Sequence, residues 1–65
     1  VHDIETTTRD RLMRAWENSM ELTRDYQMYS KHIEDSKIAE VFKQLAENEA
    51  VHAQKLHYLL KEYED

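Results

Sequence analysis

Apolar residues in the second half of the chain fall on a line. Ile38, Phe42, Leu45, Leu56, Leu59 and Tyr63, with Glu49 and His52 between them, step by 4, 3, 4, 3, 4, 3 and 4, the spacing of an apolar seam along a packed helix. A carboxylate and an imidazole thus interrupt the middle of a line otherwise made of apolar side chains. The first half carries a stripe of similar period: Leu12, Ala15, Trp16, Ser19, Leu22, Thr23, Tyr26, Tyr29, Ser30 and Ile33. Its opposite face holds Asp10, Arg14, Glu17, Glu21, Arg24 and His32, read as a solvated surface with pairs one turn apart.

Between Ile33 and Ile38 the pattern slips by one residue, which rotates a helical stripe by roughly 100°. The slip coincides with Glu34, Asp35 and Ser36, and Asp35 or Ser36 can cap a new helix. The pattern predicts helix one over about 8–34, a tight turn at about 34–36 and helix two over about 36–62. Thr6, Thr7 and Thr8 offer N-caps, with Asp10 placed for the positive end of the helix dipole, and residues 1–4 read as a loose arm. One helix of about 60 residues with a skip in its seam is the rival.

Composition narrows the class. The 65 residues contain no Gly, no Pro and no Cys, so helix breakers, disulfides and thiolate metal sites are all absent. A formal net charge of −5 argues against nucleic acid or an anionic membrane as partner. No run reaches the roughly 18 apolar residues of a membrane span, and the first residues lack the pattern of a signal peptide; a cytoplasmic protein is expected. The fold expected is all-α, a single antiparallel two-helix hairpin over residues 1–65. Facing residues then pair Tyr26 with Phe42, Leu22 with Leu45 or Ala46, Ser19 with Glu49, Trp16 with His52, and Leu12 with Leu56. Met13, Met20, Ala46, Ala53 and Leu60 widen the stripes, and a lone hairpin is expected to leave that flank wet. A homodimer forming a four-helix bundle would bury it.

An ionised Glu49 buried without a partner would cost several kcal/mol, so it must be paired, protonated or ligated. One reading is a Glu–His hydrogen bond one turn apart that fixes register in a metal-free dimerisation or protein-interaction module. A second is a half-solvated pair. The third is Glu-x-x-His as a metal-ligand motif, which puts both donors on one face so that they reach one ion between helices. Glu49 lies close to mid-helix, where a two-fold axis perpendicular to the bundle brings a feature against its own copy. Two carboxylates and two imidazoles would then converge, a donor set that suits iron, manganese or zinc.

The run SKIAEVFKQLAENEAVHAQKLHYLL, with I-A-x-x-F and L-A-x-x-E-x-x-H-A, resembles the second helix of the rubrerythrin branch of the ferritin-like superfamily. The resemblance covers about residues 12–60. It implies a four-helix bundle whose metal pair takes one Glu from each first helix and Glu-x-x-His from each second helix, with some members being short hairpins that dimerise. It carries Glu49 and His52 over as metal ligands and Tyr26 as a donor behind them. Trp16, Tyr26 and Tyr29 fit the family's aromatic frame only if residue 19 is the helix-one ligand position, and residue 19 is Ser. Glu17 and Glu21 lie about 160° away on the polar face and do not replace it. The implied function is a metal site, iron first, in iron handling or oxygen and peroxide redox chemistry. Oxidoreductase activity is expected only if the site is loaded and redox active. Trp16 and Ser19 are expected beside the site, and His57 in solvent.

Overall fold

The computed structural model describes residues 7–64, so the expected arm at residues 1–4 lies outside the described residues. Two helices, α1 (Thr8–His32) and α2 (Ser36–Glu64), are joined by residues 33–35 and packed side by side. The chain doubles back at the slip in the pattern and does not continue as one helix. α1 starts where Thr7, in extended backbone conformation, accepts the Asp10 amide at 3.0 Å, satisfying one of the orphan donors of the first turn. It stops at His32, two residues earlier than the pattern predicts, because Ile33 turns extended (φ −80°, ψ 126°) while its amide still donates to Tyr29 O at 3.0 Å. That exit needs no left-handed residue, and no described residue has positive φ. A tight turn without glycine is the result.

Asp35 starts α2: its Oδ1 accepts the amides of Lys37 at 2.9 Å and Ile38 at 3.1 Å, a cap worth about 1 kcal/mol. α2 then runs to Glu64, two residues beyond the expected end. At the turn end the hairpin is closed by an aromatic cluster in which Phe42 meets Tyr26 at 5.7 Å and Tyr29 at 5.4 Å between ring centroids. Such offset and edge contacts contribute about 0.5–1.5 kcal/mol each beyond area burial.

The inward line of α2 differs from the one its large apolar residues draw. Among the described residues Ala46, Ala53 and Leu60 are the buried apolar ones, at 3%, 6% and 3% exposure. With Ala39, Phe42, Glu49 and Leu56, all half-buried, they form the seam between the helices. Ile38, Leu45, His52, Leu59 and Tyr63, expected inside, are exposed, as are Leu22 and Tyr29 on α1. The expected wet flank is therefore dry at Ala46, Ala53 and Leu60, and the open face runs through Ile38, Leu45, His52 and Leu59. The cause is size. Helices approach closely along small residues, so Ala39, Ala46 and Ala53, seven apart, take the contact line and the large side chains are displaced to its edge.

With a thickness of 11 Å against a length of 50 Å, the hairpin is one layer of helices. A single layer cannot enclose a core, since an apolar face needs a second layer against it. Accordingly no large side chain among the described residues is fully buried.

Candidate metal centre

Phe42, Glu49 and Leu56 belong both to the observed seam and to the line through the exposed residues, so Glu49 stands at the edge where the packed seam meets the open face. His52 belongs to the open face alone. Exposure follows this placement: the Glu49 side chain is 20% exposed and that of His52 57%. One helical turn separates them, and His52 Nδ1 lies 3.4 Å from Glu49 Oε2. That is longer than the about 2.7–3.2 Å of a made N–H···O bond. Both side chains thus keep lone pairs for a further partner.

Ser19, Leu22, Glu49, His52, Lys55 and Leu56 line one open groove of about 500 Å³. Ser19 is the one buried polar residue among those described, at 8% exposure, and the level expected for it opposite Glu49 agrees with this groove. Its side chain is small enough to sit where α1 and α2 approach closely, and Thr23 Oγ1 donates to its carbonyl at 2.8 Å. Lys55, not singled out by the sequence pattern, is exposed and adds a cation to the groove's rim. Its spacing of three from His52 is the signal that would have found it.

The other two expected neighbours are elsewhere. Trp16 does not meet His52: it stacks on His57 at 5.0 Å with an interplanar angle of 22°, in a separate groove with Met20, Thr23, Ala50, Ala53 and Gln54. His57 remains exposed while stacked. Tyr26 lies toward the turn, against Phe42 and Tyr29, and does not line the groove of Glu49.

One hairpin brings a single carboxylate and a single imidazole to this groove. Among the described residues no group of three His, Asp or Glu side chains converges, so a metal fits here only if a second set of donors arrives across the open face.

The structure is thus two long helices folded back on one another, with Glu-x-x-His near mid-height on the edge of the shared seam. The sequence model of the Rubrerythrin family matches residues 10–65. The chain belongs to the rubrerythrin family. No curated protein and no solved structure matches it.

Proposed function

We propose that two copies of the hairpin pair through the open face into a four-helix bundle, and that Glu49 and His52 of both copies bind a transition metal ion in its core. Iron is the first choice, and manganese or zinc suits the same donors. The observation that carries this reading is the placement of the pair: Glu49 at the edge of the seam and His52 on the open face, both lining one groove near mid-helix. Membership of the rubrerythrin family supports it. Among the described residues no helix is long and apolar enough to cross a membrane, and a cytoplasmic location is part of the proposal.

In this reading Glu49 provides negative charge and His52 a nitrogen donor, while Leu22, Leu45 and Leu56 keep bulk water from the donors once the second hairpin covers them. A bound iron would supply one-electron chemistry toward oxygen or peroxide, or a storage and transfer role. Ser19 stands in the α1 position that the family resemblance gives to a ligand Glu, so each hairpin contributes one carboxylate where the resemblance implies two. The protein is an oxidoreductase only if the loaded site is redox active.

The lack of a third converging ligand among the described residues favours a second reading, a metal-free interaction module with a polar layer. Metal analysis separates the two. Protein purified without chelators is expected to hold iron, manganese or zinc in proportion to dimer, and Glu49→Ala to lose it together with the metal-dependent rise in Tm. If all three metals are absent and Glu49→Ala is as stable as wild type or more so, the metal reading is wrong.

A further inference from the structure

A line of polar residues on α1 plays no part in the site. Arg11, Asn18 and Asp25 recur every seven residues and interleave with Ala15, Leu22 and Tyr29 in steps of 4 and 3, so all six run along one edge of the helix. Leu22 and Tyr29 are exposed on that edge, and Leu22 joins it to the groove of Glu49 and His52. On α2 the same open face continues through Leu45, His52 and Leu59, again seven apart and all exposed.

The order of the charges says what covers this face. Arg11 lies seven residues before Asn18 and Asp25 seven after it, about 10.5 Å each way along the axis. A copy of α1 laid antiparallel on this edge, about a two-fold axis through Asn18, brings each Arg11 level with Asp25 of the partner subunit. A parallel copy would set like charges against each other. Among the described residues, neither Arg11 nor Asp25 has an ion-pair partner in its own hairpin. Ser19, next to Asn18, shares the groove of Glu49 and His52, so the same axis crosses α2 at the pair. There Leu45 falls level with Leu59 of the partner subunit, and the two His52 side chains approach each other. Two independent sevenfold spacings, one charged and one apolar, are self-complementary about one axis.

We infer that the face formed by Leu22, Tyr29, Leu45 and Leu59 takes a second copy of this chain in a single antiparallel two-fold register, selected by two Arg11–Asp25 pairs with Asn18 on the axis. The inference rests on the pairing of hairpins proposed above, adds its orientation and register, and does not depend on metal. Exposed ion pairs contribute little affinity. The apolar side chains hold the copies together, and the charges penalise the other registers.

Charge reversal at the two positions tests it. In sedimentation equilibrium at low salt, R11E and D25R are each expected to self-associate roughly tenfold more weakly than wild type, since each sets like charges together twice. An equimolar mixture of the two variants is expected to regain wild-type affinity, because in the mixed dimer both crossings carry opposite charges. Circular dichroism checks that each variant keeps its helix content. N18C, the only thiol in a chain without cysteine, is expected to form a disulfide dimer under mild oxidation, whereas Q27C, about 180° around α1, is not. Single variants that dimerise like wild type, or a mixture no tighter than its components, overturn the register and leave the pairing of hairpins standing. A wild type that stays monomeric at every concentration overturns both.

Discussion

Leu60→Ala is expected to cost about 2–5 kcal/mol of stability. Its neighbour Leu59→Ala is expected to cost less than about 1 kcal/mol in the isolated hairpin. The difference comes from burial: Leu60 is 3% exposed and Leu59 44%. A chain of this length has a total stability of only about 3–10 kcal/mol, so Leu60→Ala should leave a large unfolded fraction at room temperature. Urea titrations followed by helix content, at one chain concentration because pairing and folding are linked, give both values. The roles reverse when association is measured, since Leu59 lies on the open face and its truncation should weaken dimerisation. Equal losses of stability for the two variants would contradict the seam through Ala46, Ala53 and Leu60.

Ser19→Glu is expected to have opposite effects with and without metal. Ser19 is 8% exposed between the helices, and a larger ionised side chain there must be desolvated and accommodated. In the absence of metal this should lower stability by about 1–3 kcal/mol. With iron(II), manganese(II) or zinc(II) present, the added carboxylate faces the groove of Glu49 and His52 and completes the donor set that the family resemblance implies. The variant should then bind metal at least tenfold more tightly than wild type, and its Tm should rise more steeply with metal concentration. Calorimetric titration and thermal melts with each ion measure this. A variant destabilised equally with and without metal would remove Ser19 from the site and leave it as a packing residue only.

How far the fold is legible in the sequence depends on which physical signal is read. The two helices and the turn follow from the unbroken 3.6-residue period, the slip after Ile33 and the capping chemistry of Thr7 and Asp35, all of which are local. The inward face of α2 is not local. The large apolar residues Ile38, Leu45 and Leu59 outweigh alanines at 39, 46 and 53 on hydrophobic scales, yet close helix contact selects for small size. The heptad spacing of the alanines is the clue, and it reads as a seam only once the two lines are recognised as serving two different neighbours. Trp16 shows the same limit. The sequence pattern sets it opposite His52, but the change of seam turns α2 so that His57, five residues further on, meets it. Glu49 is insensitive to that change because it lies on both lines, which is why the groove of Ser19, Glu49 and His52 could be anticipated while the contacts around it could not.

The three-residue turn carries a consequence for covalent linkage. Because α1 and α2 fold back so sharply, Thr8 and Glu64 lie at the same end of the hairpin, remote from residues 33–35. Under the two-fold pairing inferred above, the open ends of two copies point in opposite directions along the bundle. Fusing two copies head to tail would therefore require a connection running the length of α2, which at 29 residues is about 43 Å. An extended chain covers at most about 3.3–3.6 Å per residue, so a tether shorter than about 12 residues could not join the partners of one bundle and would instead string successive hairpins into chains of linked dimers.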